Sequence, residues 1–178
     1  MSDYYYQQDF QIDILDIPGT AGRIGMCQCP GTSNRYDLLG DLQIIADSGA
    51  VMLISLITNK EYKTYGVTDL HRLVPPNITH LKMPISDMST PNKAFNDQWN
   101  IYNPNIKKLL LGNQVIILHC LAGMGRTGTI CARILIEDFD IQPEQAIQMV
   151  RKARPGTIQT NAQENYLLNR RWEYYKDE

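Results

Sequence analysis

The stretch Val115-Ile-Ile-Leu-His-Cys120-Leu-Ala-Gly-Met-Gly-Arg126-Thr-Gly-Thr limits what this chain can fold into more than any other. Its run of Val, Ile and Leu predicts a strand, Gln114–His119, of the kind covered on both faces in parallel sheets. The strand runs into a turn, Cys120–Gly128, and a helix from about Thr127 to Phe139 follows. A buried parallel strand needs partner strands and covering helices, and the rest of the chain supplies both in alternation. Ile12–Ile17, Arg23–Cys29, Ala50–Ile57 and His80–Ile85 read as further strands, separated by turn signals such as Pro18-Gly19 and Pro30-Gly31. Tyr36–Asp47 carries a 3.6-period stripe. Asn59–Tyr65, Thr68–Leu73, Pro143–Ala153 and Thr160–Tyr175 are expected as helices, and Asn92–Leu111 as one helix kinked or broken at Pro104. The expectation is one α/β domain over residues 1–178, built on a mostly parallel sheet of about five strands flanked by helices on both faces.

Cys120 ends a strand, and Arg126 opens a helix six residues later. The residues between, Leu121, Ala122, Gly123, Met124 and Gly125, include two glycines and can wrap so that the N–H groups from Leu121 to Arg126 point at one dianion. The Arg126 guanidinium can grip two phosphate oxygens at once. The same donors favour the thiolate of Cys120, the nucleophilic form of a cysteine. Thr127 can donate its hydroxyl to the departing sulfur, and His119 is expected to hold the loop through hydrogen bonds. A thiolate attacking a phosphate ester also needs an acid for the leaving oxygen. Asp87, in the proline-bracketed loop Pro84–Pro91, is a candidate, although an aspartate in a loop more often closes an Asx-turn. Gly123-Met-Gly125-Arg-Thr-Gly128 also fits the glycine pattern of dinucleotide folds. The helix expected at Pro143–Ala153 stands where such a fold needs a strand.

Composition narrows the partners. Seventeen Lys and Arg against nineteen Asp and Glu give a net charge of −2, so no overall field draws the chain to nucleic acid or an anionic membrane. The first residues lack a basic region followed by an apolar stretch, and the longest apolar runs are too short to span a bilayer. A cytoplasmic monomer is expected, compatible with export by a specialised route, with its four cysteines reduced. Cys27-x-Cys29 lacks the further Cys or His cluster that a metal site needs, so neither metal nor cofactor is expected.

His119-Cys120-x5-Arg126-Thr127 resembles the signature of the protein tyrosine phosphatase superfamily. Asp87 followed by Pro91 is similar to that superfamily's general-acid loop. Arg154-Pro-Gly-Thr-Ile-Gln159-Thr-Asn-Ala-Gln163 is similar to the segment in which a glutamine positions the attacking water, which implies that role for Gln159 and an auxiliary one for Gln163. Gly22-Arg-Ile-Gly25, Cys29-Pro-Gly31 and Pro143-Glu-Gln-Ala-Ile147 resemble the kinase-associated branch of small dual-specificity phosphatases. The resemblance implies a metal-free phosphatase acting through a cysteinyl-phosphate on Cys120. Its implied substrate is phosphotyrosine, phosphoserine or phosphothreonine in a protein, kinases included. The alternatives are a phosphoinositide phosphatase, which the neutral Leu121 and Met124 disfavour, and a non-catalytic phosphate-binding module.

Overall fold

The computed structural model describes residues 9–175. Five strands form one sheet in the order β1-β2-β5-β3-β4, where β1 is Asp13–Asp16, β2 Arg23–Cys27, β3 Ala50–Ser55, β4 Thr79–Lys82 and β5 Val115–His119. β1 pairs antiparallel with β2, and the other three pairings are parallel. β5 lies between β2 and β3 and is buried throughout. Its unbroken apolar run therefore reads as predicted for a strand covered on both sides.

The helices are α1 Leu38–Asp47, α2 Asn59–Thr64, α3 Leu70–Leu73, α4 Lys93–Leu111, α5 Gly125–Phe139, α6 Pro143–Ala153 and α7 Asn161–Leu168. α4 and α5 both pack on β5, α1 packs on β3 and α6 on β1. α2 starts on a capping box in which Thr58 and Glu61 bond each other's backbone N–H groups. α7 starts on a second, formed by Thr160 and Gln163.

Two expected helices differ. α4 continues through Pro104 without a break. Proline removes one N–H and displaces the carbonyl of the residue four before it; that residue, Asn100, is exposed, where water can take the freed carbonyl. The expected helix Thr160–Tyr175 instead stops at Leu168, and a 3-10 helix, Arg171–Tyr175, follows. Arg170 takes a left-handed φ of 46° at the corner. The turn brings Trp172, 1% exposed, within 5.4 Å of the Tyr166 ring.

α5 is buried along nearly its whole length. Its Arg133 lies over the rings of Trp99 and Trp172 at 4.7 and 5.2 Å. It also bonds Glu137, Asn96 Oδ1 and the Tyr166 hydroxyl. This buried cation ties α4, α5 and α7 together, which fixes the helix whose first turn carries Arg126.

Candidate active site

Cys120 follows directly on β5 at the carboxyl edge of the sheet, where open α/β sheets place their ligand crevices. It is 3% exposed. The loop after it turns its carbonyls away from its centre. The Cys120 carbonyl accepts from His119 Nδ1 at 3.0 Å, and that of Leu121 from Cys29 N–H at 2.9 Å. Ala122 O accepts from Arg154 Nη2 at 3.1 Å, and Met124 O from Gly128 N–H at 2.9 Å. Every described peptide bond is trans, so each N–H points opposite to the carbonyl in its own plane. Outward carbonyls therefore mean inward amides. From Leu121 to Arg126 none of these N–H groups donates to another described residue.

Glycine is required at the bend. Gly123 has φ +71°, and a Cβ there would lie 2.2 Å from the Cys27 carbonyl oxygen. Gly125 leaves room for two glutamines, because its Cβ would sit 2.9 Å from Gln159 Oε1 and 3.0 Å from Gln163 Nε2. Gln159 and Gln163 therefore both lie against the loop. Gln163 is fully buried; its Oε1 accepts from the Gln159 and Thr160 N–H groups, and its Nε2 donates to Ser89 O, two residues beyond Asp87. Ile158, just before Gln159, is buried with a left-handed φ of 58°, a strained state for a β-branched residue.

Arg126 is 2% exposed and carries more partners than expected. Nη1 and Nη2 donate to the two carboxylate oxygens of Glu61 at 2.9 and 2.7 Å, and Nη1 also donates to Ile85 O at 2.9 Å. Nη2 lies 3.0 Å from Asp87 Oδ1, so the expected acid does stand beside the expected phosphate clamp. Burial alone would lower the Arg126 pKa, but the bonds and charge of Glu61, with Cys120 and Asp87, hold it above the ordinary arginine value. Burial likewise opposes the Glu61 carboxylate, and the bonds from Arg126 and Thr58 outweigh it and lower its pKa.

Sequence reasoning missed Glu61. Its one signal was Thr58-x-x-Glu61, legible as a helix start and silent about a partner 65 positions away. A charge at the end of α6, where Arg154 stands, ordinarily serves the helix dipole. Arg154 instead braces the loop, donating to Ala122 O, to Met124 Sδ at 3.3 Å, and to Asp13 Oδ2 on β1 at 2.6 Å. The Thr127 hydroxyl is buried and has no hydrogen-bond partner among the described residues. His119 bonds the Cys120 carbonyl through Nδ1. It is fully buried, its pKa is depressed by burial to about 4, and its Nε2 lies 2.5 Å from Ser55 Oγ.

Cys27, Cys29 and Cys131 are free and buried, and burial pushes their thiols far above the usual range. The Cys120 side chain interacts electrostatically with the Arg126 guanidinium. The helix α6 stands where a dinucleotide fold would need a strand. A buried thiol, a loop whose carbonyls bond outward, an arginine and a carboxylate thus lie together, and such a donor set can accept a tetrahedral oxyanion.

Comparison with known proteins assigns the family. Residues 24–139 match the family described as "Tc-R-P: Polymorphic toxin system, DSP-PTPase phosphatase". Cyclin-dependent kinase inhibitor 3 of Rattus norvegicus is 32% identical over 151 residues, covering 81% of this chain and 69% of that protein. The probable protein tyrosine phosphatase type IVA A of Dictyostelium discoideum is 32% identical over 120 residues, 61% of this chain and 70% of the other. The structure of kinase associated phosphatase, with its catalytic-site cysteine replaced by serine, superposes with a TM-score of 0.82 at 26% identity, over 97% of this chain and 99% of that one. Human DUSP28, at 14% identity and a TM-score of 0.61 over 91% and 94% of the two chains, shares the fold. The chain belongs to the dual-specificity phosphatases of the protein tyrosine phosphatase superfamily, and it is a protein phosphatase similar to the kinase associated branch. Among the described residues no helix is long and apolar enough to cross a membrane.

Proposed function

We propose that the chain hydrolyses phosphoserine, phosphothreonine or phosphotyrosine in proteins through a phosphocysteine on Cys120, with a phosphorylated kinase among its substrates. The observation that carries the mechanism is the loop itself: outward-bonded carbonyls at residues 120, 121, 122 and 124 leave their amides converging beside the Cys120 sulfur. The kinase rests on the names of two relatives, a cyclin-dependent kinase inhibitor and a kinase associated phosphatase.

The phosphate sits in the cradle with its phosphorus in line with the thiolate. Glu61 takes the end of the guanidinium and Ile85 one outer Nη1–H, which leaves Nε–H and the outer Nη2–H as the edge that grips two phosphate oxygens. Asp87 already stands at that edge. In the first step the S–P bond forms and the P–O ester bond breaks, and the Asp87 carboxyl gives its proton to the leaving oxygen. In the second, the Asp87 carboxylate takes a proton from water, which attacks phosphorus as the S–P bond breaks and inorganic phosphate leaves. Gln159, over Gly125, orients that water, with Gln163 steadying it and the acid loop. Thr127 turns its unpartnered hydroxyl to the sulfur as negative charge returns there. An open cleft of about 510 Å³, lined by Lys60, Thr64, Tyr65 and Ser86, runs outward from Glu61 and Asp87 and takes the residues around the phosphorylated side chain. Leu121 and Met124 bring no charge to the loop, which favours a protein over an inositol phosphate.

Hydrolysis of a small aryl phosphate in the presence of chelator tests the reading. Turnover by the wild type, its loss in Cys120→Ser, and a drop of about a hundredfold or more in Asp87→Ala are expected. An inert wild type that still binds a phosphopeptide would make the chain a phosphate-reading module instead.

A further inference from the structure

We infer that His80 is a positioning residue for the nucleophile, holding His119, through Ser55, in the one tautomer that turns the Cys120 carbonyl out of the cradle and Leu121 N–H into it. The inference rests on the catalytic reading of Cys120 above.

The three side chains come from adjacent strands: His80 from β4, Ser55 from β3 and His119 from β5. Ser55 and His119 are paired in register and fully buried, while His80 is half-buried. His80 Nε2 lies 2.7 Å from Ser55 Oγ, Ser55 Oγ lies 2.5 Å from His119 Nε2, and His119 Nδ1 lies 3.0 Å from the Cys120 carbonyl oxygen.

Counting protons fixes the direction of every bond. A carbonyl only accepts, so His119 Nδ1 carries hydrogen. Burial keeps both rings neutral near pH 7, each with a pKa of about 4. His119 Nε2 is then bare and accepts the single Ser55 hydroxyl proton. The Ser55 oxygen, having given that proton away, can only accept from His80, which therefore carries hydrogen on Nε2. The two histidines are locked in opposite tautomers, and the outer one holds the inner one in the tautomer that the Cys120 carbonyl selects.

Without the His80 donor, Ser55 is free to turn its proton elsewhere and His119 to move hydrogen to Nε2. A bare Nδ1 would then face the Cys120 carbonyl, lone pair against lone pair. That carbonyl and Leu121 N–H belong to one trans peptide plane, so releasing one releases the other. The cradle would lose the amide next to the sulfur, with less stabilisation of both thiolate and phosphate.

The test has two parts. In the wild type, long-range ¹H–¹⁵N NMR of the imidazole rings should show His119 protonated at Nδ1 and His80 at Nε2; any other pair of tautomers overturns the inference. Iodoacetamide alkylation at about pH 6, where the other three buried thiols stay inert, should slow by roughly threefold or more in His80→Leu. The kcat/KM for an aryl phosphate should fall with it, and His80→Gln, whose amide N–H can reach Ser55, should restore both. A folded His80→Leu with wild-type alkylation, or a Gln variant no better than Leu, would refute the positioning role. Should His80→Leu not fold, the tautomers and the Gln variant still decide. Alkylation that follows His80 in an enzyme without turnover would instead break the catalytic reading and leave the positioning intact.

Discussion

Asn103 on α4 and Asp138 on α5 form a buried pair with a defect that a single proton repairs. Asn103 Nδ2 donates to Asp138 Oδ1 at 3.0 Å, while Asn103 Oδ1 and Asp138 Oδ2 are both buried without a partner. Two oxygens without a hydrogen between them suit a protonated carboxyl. Burial is the main cause that raises the Asp138 pKa to about 6 from 3.8, Glu137 adds to it, and Asn103, Lys107 and Arg133 oppose it. A folded-state pKa above the unfolded one means that the native state binds more protons. The contribution of Asp138 is therefore fully present below about pH 3.8 and is lost as pH rises through 6. About two pK units correspond to roughly 3 kcal/mol lost by about pH 8. Asp138→Asn removes the charge and supplies an N–H for the orphaned Asn103 oxygen. The variant should gain up to about 3 kcal/mol at pH 8, or roughly 6–12 °C in Tm for a domain of this size, and little at pH 4. Urea and thermal unfolding of both proteins across that range measure it. A variant less stable than wild type at pH 8, or a difference that does not change with pH, would refute the reasoning.

Three further outcomes follow from the same contacts. Gly123→Ala puts a methyl against the Cys27 carbonyl in a left-handed backbone, and should cost about 1–3 kcal/mol in denaturant melts while abolishing aryl phosphatase activity. Glu61→Gln keeps the shape but removes the charge from the end of Arg126; kcat/KM should fall on the order of tenfold. Because the Glu61 pKa is lowered, its stabilisation is present above the ordinary carboxylate value and lost as pH falls, so this variant should also show a flatter acid limb in its stability profile. Arg133→Ala strips a charged partner from the half-buried Glu137, leaving it the Trp99 N–H, and removes the cation from the faces of two tryptophans; it should destabilise by about 3 kcal/mol in equilibrium unfolding.

What the sequence displayed of this enzyme follows the range of the forces involved. The strand–loop–helix at Val115–Phe139, the glycines of the loop and the six-residue step from Cys120 to Arg126 are local, so periodicity and turn chemistry reveal them. Gln159 and Gln163 carry no local sign of function, and only the resemblance singled them out; Asp87 had the proline-bracketed loop as a sign, too weak by itself to outweigh an Asx-turn. The supports of the loop were illegible for a different reason. Glu61, Asp13 and Ser55 reach Arg126, Arg154 and His119 across 65, 141 and 64 residues, and an isolated charge or hydroxyl does not announce a partner that distant. At Pro104 the local rule left a kink and a break both open, and at the Asn169–Arg170 corner tertiary packing overrode the helical pattern.

Those long-range supports share one geometry. β2 holds Leu121 O through Cys29, β1 and α6 hold Ala122 O through the Asp13–Arg154 pair, β3 and β4 hold Cys120 O through the histidine chain, and α2 holds the arginine through Glu61. The strands beside β5, or the segment just after them, thus reach the loop from the carbonyl side, while the helix α2 holds its arginine. An anion held by backbone amides gains most when the amides need not reorient as charge moves from ester to leaving group. A loop tethered separately by its neighbours meets that condition, and it implies that single supports act in part independently. The double variant Arg154→Ala with His80→Leu should therefore lose kcat/KM close to the product of the two single losses, since the pairs share no partner. A double variant no worse than the weaker single one would mean that the loop moves as one unit, released by its first broken tether.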